Sequence, residues 1–320
     1  SVIFLGEAIV EPFEIVKYFG DRDNKECNVM YNASFMVLLW NSLATRDVRL
    51  MGRSLSLDYG IPEDGIWINY ARCHDDIGWG FETGILKDMG LDPEMHKQYI
   101  IQYMEGKFRG SFATGELYEY NPVTNDARNC GTLASLCGLE QALNEKHMYK
   151  VELAIKRILL LHSVIISYTG IPLLYSGDEI GRLNDWSYKE IPQYAGDSRW
   201  LHRGKMDWAT AEKRDDFSTI EGQIFGKLRN MISIRKSNGY FSAEYKAIPV
   251  DTGNDAVFCF HKEDKMLVLA NFSEKEQWVD TKAFDWFGLP GEMKDLITAR
   301  PVRSYNNHIQ LGPYEYLWLV

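Results

Sequence analysis

Gly65-Ile66-Trp67-Ile68-Asn69-Tyr70-Ala71-Arg72-Cys73-His74-Asp75-Asp76 decides how the chain is read: a short apolar β run delivers a histidine and two adjacent acids. Phe4-Leu5-Gly6-Glu7-Ala8-Ile9-Val10 does the same at the start, with Glu7 where strand meets loop. Loops at strand ends are where barrel enzymes carry their catalytic groups. A Glu and an Asp brought together there are what glycosidic bond chemistry requires, one acid to protonate the leaving oxygen and carboxylates facing oxocarbenium charge.

Working outward, Glu11-Pro12 predicts a helix with proline at its first position, stopped by Gly20. Cys27 to Tyr31 is a second strand, and Asn32 caps a helix running through Phe35, Leu38, Leu39 and Leu43. Gly80 to Lys146 is too long for a connection and reads as an inserted subdomain. Met148 to Thr169 is a long amphipathic helix ended by Gly170, and Ile171-Pro172-Leu173-Leu174-Tyr175 is the fourth strand. Ser218-Thr219-Ile220-Glu221 has the form of a capping box that starts a helix to about Lys236. Beyond Asn238-Gly239, short alternating runs (Ala256 to His261, Met266 to Asn271, Gln277 to Asp280, Tyr314 to Val320) indicate a small all-β domain.

Four β/α repeats imply a parallel sheet and, with acids at the strand ends, part of a (β/α)8 barrel. Four strands cannot close one. The expected fold is α/β, the C-terminal half of a (β/α)8 barrel with an inserted subdomain, followed by an all-β sandwich. Its segments are 1–79 (strands five to seven), 80–146 (insertion), 147–238 (strand eight and flanking helices) and 239–320 (sandwich). The opening Ser1-Val2-Ile3-Phe4-Leu5 enters a strand directly, so the other four strands are expected upstream.

Among 320 residues, 35 basic side chains face 45 acidic ones, a net charge of −10 with no basic run, which argues against a nucleic-acid partner and suits a neutral substrate. Cys27, Cys73, Cys130, Cys137 and Cys259 are odd in number and lack CxxC spacing, so neither a disulfide framework nor a zinc site is expected. Ile158 to Tyr168 is too short to span a bilayer and is interrupted by His162 and Ser163. No membrane partner and no cofactor are expected.

Glu7 taken singly reads equally as a helix-capping or solvated residue. Adjacent carboxylates at Asp75 and Asp76 repel and raise each other's pKa, a cost tolerated mostly where charge is used. A solvated acidic loop, a helix N-terminus or a metal site with His74 are the other readings. Arg199 could pair with Asp197 on the surface, and Asp178 and Glu179 could cap a helix. Trp67, Trp79, Trp186 and Trp200 are core residues or sugar platforms.

The chain resembles the amylosucrases and their close relatives in the α-amylase superfamily, glycoside hydrolase family 13. The resemblance is carried by Gly6-Glu7-Ala8-Ile9-Val10, Tyr31-Asn32 with Leu39 to Arg46, Cys73 to Trp79, Gly110-Ser111-Phe112-Ala113, Gly170 to Glu179 and Asp197-Ser198-Arg199-Trp200. It implies that Glu7 is the general acid/base and Asp75 the transition-state stabiliser. It further implies that His74 binds the donor sugar, that Asp76 and Arg199 shape a sucrose pocket, and that Arg128 helps hold an acceptor glucan. A neighbouring acceptor-site arginine of amylosucrases is Lys97 here, which keeps charge but loses the planar fork.

The Asp nucleophile of that family belongs after the fourth barrel strand, upstream of Ser1. The resemblance therefore implies part of a retaining enzyme acting on sucrose or α-glucans, whose partner is the N-terminal half of the same enzyme. Alone, the chain is expected to be inactive, and an unclosed sheet with bare edges would be marginal or self-associating. Sucrose hydrolase, trehalose-forming isomerase and a non-catalytic carbohydrate-binding half-barrel are the alternatives.

Overall fold

The computed structural model describes residues 2–8, 12–21, 23–263, 265–287 and 293–320. Ile9, Val10 and Glu11, at the end of the first acidic stretch, lie outside the described residues. Strand β1 (Leu5–Gly6) is followed by α1 (Pro12–Ile15), which tightens into a 3-10 turn and stops at Gly20 with φ 76°. Strand β2 (Val29–Tyr31) leads into α2 (Ala33–Thr45), where the Asn32 side chain accepts the Phe35 N–H at 3.1 Å as the predicted cap. After α3 (Arg49–Leu55) comes β3 (Ile66–Asn69).

The chain then forms α4 (Thr83–Asp88), α5 (Pro93–Glu105), the antiparallel pair β4 (Glu116–Asn121) and β5 (Asp126–Cys130), α6 (Leu133–Leu136) and α7 (Leu139–Asn144). The long helix α8 (Met148–Ser167) precedes β6 (Ile171–Pro172), and α9 (Trp208–Ala211) precedes α10 (Ile220–Ser237). Two compact units result, Ser1–Tyr70 with Leu160–Leu173 and Asn230–Val320, and Ala71–Leu159 with Leu174–Arg229.

In the first unit, β1, β2, β3 and β6 lie side by side in that order, all parallel. Only the first two residues of the expected Ile171-to-Tyr175 strand are paired in the ladder. The last rung is the Leu173 N–H on the Asn69 carbonyl at 2.8 Å. An amide chain ties the carboxyl ends of β2 and β3 to the segment entering β6: Asn32 donates to Asn69 at 3.0 Å, and Asn69 donates to the Thr169 carbonyl at 2.8 Å. Gly170 has φ 124°, and a Cβ there would lie 2.5 Å from the Trp67 carbonyl oxygen, so the turn into β6 requires glycine.

The capping box is shifted by one residue from its expected position. Ser218 gives its hydroxyl to Asp216 at 2.7 Å, so it does not cap; Thr219 accepts the Gly222 N–H at 3.0 Å, and the helix starts at Ile220. A carboxylate two residues upstream outcompetes the backbone for the serine.

The remaining strands are β7 (Ala247–Val250), β8 (Val257–Lys262), β9 (Met266–Asn271), β10 (Gln277–Asp280), β11 (Met293–Lys294), β12 (Pro301–Val302), β13 (His308–Leu311) and β14 (Tyr316–Leu319). They form an antiparallel sheet β14-β9-β8-β7 and two ribbons, β10-β13 and β11-β12. Strand β8 is buried on both faces. Val257 and Cys259 join Leu269, Val279, Ile309 and Leu311 in one core, while Phe260 packs edge-on against Tyr168 at 5.2 Å. Trp318, fully buried, donates its indole N–H to Ser163 at 2.9 Å. Each such large side chain contributes about 1.5–3 kcal/mol of hydrophobic stabilisation. Among the described residues no helix is long and apolar enough to cross a membrane.

One residue of this core works against stability. The Lys262 ammonium is buried with no hydrogen-bond partner among the described residues, 5.7 Å from the Phe241 ring. Burial first, and then the like charge of Arg235, lower its pKa from 10.5 to about 8. Between those values the unfolded chain binds the proton that the folded chain releases, so stability rises with pH across that window. Lys262→Met is expected to stabilise the fold at pH 7 by roughly 3 kcal/mol and to flatten the rise, as read by urea unfolding at pH 7 and pH 10.5. A variant no more stable than its parent at pH 7 contradicts this.

Candidate functional site

Leaving β3 at Asn69, the backbone enters the second unit and turns through His74, Asp75 and Asp76 before Ile77 pairs with Asn129 of β5. Both Ile77–Asn129 backbone bonds form, at 2.8 and 3.1 Å. The Asn129 side chain also accepts the Trp79 indole N–H at 2.7 Å and donates to the Ile101 carbonyl at 3.2 Å. Trp79 is thus a buried anchor of the loop, with its indole satisfied from within. Nothing in the spacing marked Asn129, because an asparagine between Arg128 and Cys130 looks like any strand residue.

The two adjacent acids diverge. Asp75 accepts Arg199 Nη1 at 3.0 Å and the Asp76 backbone N–H at 3.1 Å, with Arg203 at 3.5 Å. Burial disfavours its charge, but the bonds from Arg199 and the Asp76 backbone outweigh that and hold the carboxyl below its usual range. Asp76 is 3% exposed, and one oxygen takes Arg128 Nη1 at 3.3 Å while the other has no hydrogen-bond partner among the described residues. Burial, followed by the adjacent Asp75 carboxylate, pushes its pKa up to about 6 against the attraction of Arg128. Mutual repulsion therefore raises only one member, because Arg199 fixes the charge on the other.

Arg199 does pair with Asp197, in a fork of 2.9 and 2.9 Å, but the same guanidinium reaches Asp75 and lies 4.7 Å from the Tyr118 ring centre. A planar five-donor group can hold two carboxylates at once, which a lysine cannot. Lys97 is paired with Asp126 at 2.6 Å, so its single point charge is already engaged. Trp200 stacks on Tyr194 with ring centres 3.7 Å apart, and Trp186, 37% exposed, donates to Glu140 at 2.7 Å. Trp67 packs edge-on to Phe19 at 5.3 Å in the first unit.

Beneath the loop lies a group that motif reading passed over. Arg72 is 2% exposed, stacks 4.2 Å from the Tyr175 ring and lies 3.5 Å from Asp178, itself 3% exposed. Asp178 is therefore no helix cap. Burial pushes its carboxyl up to about 6 despite Arg72. Glu179 turns back to accept the Gly177 N–H at 2.7 Å. His202 sits 3.4 Å from the His74 carbonyl, with its pKa pushed down to about 3 by burial first and then by Arg72. Arg203 Nε donates to the same carbonyl at 2.6 Å. The His74 backbone is thereby held from below while its side chain stays exposed.

In the first unit Glu7 directly follows β1, at the carboxyl edge of the parallel sheet, and is exposed. Asn32, Asn69 and Leu173 stand at the same edge behind their strands.

No family profile matches the sequence. It is 23% identical over 330 aligned positions to the glucosylglycerate phosphorylase of Escherichia coli (strain K12), spanning 100% of this chain and 53% of that enzyme. Among solved structures it is similar to AmyP in complex with maltose, with TM-score 0.59 and 12% identity over 99% of this chain and 55% of AmyP. The α-amylase of H. orenii superposes with TM-score 0.56 at 13% identity, over 99% of this chain and 53% of that one. The Geobacillus thermoleovorans α-amylase, complexed with acarbose, gives TM-score 0.56 at 14% identity over 99% and 52%. The fold is that of the α-amylase-type enzymes, and the chain spans about half the length of the relatives it matches.

Proposed function

We propose that this chain is the C-terminal part of a retaining α-glucosyl enzyme of glycoside hydrolase family 13. In this reading the parallel sheet is strands five to eight of the barrel, with residues 80–146 inserted after strand seven and residues 239–320 forming the sandwich. The observation that carries it is the Asp75 carboxylate, held ionised by Arg199 on the loop that leaves β3. A fixed negative charge at the exit of a parallel strand serves a positively charged transition state.

Glu7 donates its proton to the glycosidic oxygen as the bond to the anomeric carbon breaks, and the nucleophile closes on that carbon from the opposite face. The nucleophile comes from the part of the relatives' length that this chain does not span. Glu7 then takes a proton from the acceptor hydroxyl as the glucosyl-enzyme bond breaks, so configuration is retained. Asp75 stays ionised throughout and stabilises the charge on the sugar ring. His74 binds the donor sugar, Asp76 and Arg199 shape the pocket around the substrate, and Arg128 and Lys97 bound its acceptor side.

Sucrose is the donor that the amylosucrase resemblance favours. The engaged Lys97 favours short acceptors over a growing glucan. Similarity to a glucosylglycerate phosphorylase supports a second reading, transfer to inorganic phosphate. Incubating the full-length enzyme with sucrose, maltose or glucosylglycerate, with and without phosphate, and following anomers by NMR separates these. Glucose 1-phosphate of α configuration, formed only with phosphate, selects phosphorolysis. Glucan, free hexoses or a sucrose isomer select amylosucrase, hydrolase or trehalose-forming isomerase chemistry. Inversion at the anomeric carbon, or turnover by the 320-residue chain alone, overturns the proposal, and no turnover with any donor leaves the carbohydrate-binding half-barrel.

A further inference from the structure

The turn that carries Arg199 sends a second cation to the same loop. Asp197 accepts the Arg199 N–H at 3.0 Å and starts the 3-10 turn Ser198–Leu201, and Arg203 follows directly after its last residue and His202. That turn is a firm mounting: Leu201 is fully buried, the Ser198 hydroxyl donates to the Leu117 carbonyl at 2.9 Å, and Trp200 stacks on Tyr194. Arg203 divides its guanidinium between backbone and side chain. Its Nε donates to the His74 carbonyl at 2.6 Å, and its Nη2 lies 3.5 Å from Asp75 Oδ1.

The bonded carbonyl belongs to the peptide that joins His74 to Asp75. A trans peptide is planar, so holding its oxygen fixes its plane and the directions in which both flanking side chains leave. The preceding peptide is held in the same way, since Arg72 donates to the Cys73 carbonyl at 3.1 Å and to the His202 carbonyl at 3.4 Å. Two consecutive carbonyls thus point at guanidinium groups, through charge-assisted bonds stronger than neutral ones. Arg72 is deeply buried and bears on the fold as a whole. Arg203 stands at the rim with 22% of its side chain exposed, where substitution leaves the buried pair beneath it intact.

We infer that Arg203 is a positioning residue, which fixes the His74–Asp75 peptide so that the imidazole and the carboxylate face the donor sugar together. It touches neither the sugar nor the breaking bond, and acts through the peptide and Asp75 Oδ1. A lysine carries one point charge and no fork, so it cannot hold a carbonyl and a carboxylate at a fixed separation. The functional part of this inference rests on the roles proposed above for His74 and Asp75; the anchoring of the peptide does not.

Two measurements test it. In the full-length enzyme supplied with sucrose, maltose or glucosylglycerate, with and without phosphate, Arg203→Ala is expected to lower kcat/KM roughly 10- to 100-fold. Most of that loss should lie in kcat, since charge on the sugar develops only in the transition state. Ethylguanidinium should restore part of kcat, which a general folding defect would not allow, and Arg203→Lys should remain below the parent. In the 320-residue chain, the Asp76 amide, bonded to Asp75 Oδ1 at 3.1 Å, should exchange its hydrogen about tenfold faster in Arg203→Ala. The Ile77 amide, bonded to the Asn129 carbonyl at 2.8 Å, should exchange as in the parent. An Arg203→Ala enzyme with the parent's kcat, a loss that ethylguanidinium leaves untouched, or full recovery in Arg203→Lys overturns the inference while the enzyme proposal stands. Should the parent turn over none of the donors, the enzyme proposal falls instead and exchange still decides the anchoring. Asp76 and Ile77 both unchanged, or both quickened, overturn it; a faster Asp76 alone sustains it.

Discussion

Asp75→Asn in the full-length enzyme is expected to cut kcat/KM for α-glucosyl transfer by roughly 10²–10³, the loss typical of removing one preorganised electrostatic partner of a transition state. Most of the loss should fall on kcat, because the carboxylate matters most when the sugar carries positive charge. The substitution keeps shape and removes only charge. Arg199 remains anchored by its fork on Asp197, so the loop should not collapse with it. Asp75→Ala is expected to lose at least as much. Steady-state kinetics of both variants decide the matter: an asparagine variant with the parent's kcat would show that Asp75 is no stabiliser. Because Arg199 and the Asp76 backbone hold the Asp75 carboxyl below its usual range, its protonation should not supply the acid limb of the pH profile above about pH 4.

Asp178→Ala is expected to destabilise the 320-residue chain by about 3–5 kcal/mol, since it leaves the Arg72 guanidinium buried without its counter-charge. Stacking on Tyr175 and a 3.1 Å bond to the Cys73 carbonyl remain, but neither neutralises the charge. The paired substitution Arg72→Met with Asp178→Leu removes both charges and should recover most of the loss, as buried ion pairs often tolerate apolar replacement. Urea unfolding of the three chains provides the test. A single variant within 1 kcal/mol of the parent would mean the pair contributes little, and a double variant as unstable as the single would point to packing instead of charge.

The legible part of the fold was its punctuation. Asn32 caps α2, and Gly20 and Gly170 stop the segments before them, because these signals act through bonds within a few residues; the runs expected to alternate at β8 and β9 are strands, but buried at every position rather than on one face. The capping box slipped by one residue since Asp216 competed for Ser218, a contest that a four-residue motif does not contain. Strands β7 and β11 to β13 escaped notice; β11 and β12 are two residues each, and pairing rather than alternation defines them.

The site divides in the same way. Residue type and order alone determined that acids sit directly after two strands, and that Arg199, Arg128 and Lys97 are cations available to them. Tertiary structure decided who pairs with whom: Arg199 bridging Asp197 and Asp75, Arg128 taking Asp76, Asp126 occupying Lys97, and Arg72 meeting Asp178 below the loop. Asp75 and Arg199 lie 124 residues apart, and Arg72 and Asp178 106 apart, so no local periodicity connects them. Local bonding is written in neighbouring residues, whereas the charge state of a buried carboxyl depends on burial and on partners that only the folded chain brings near.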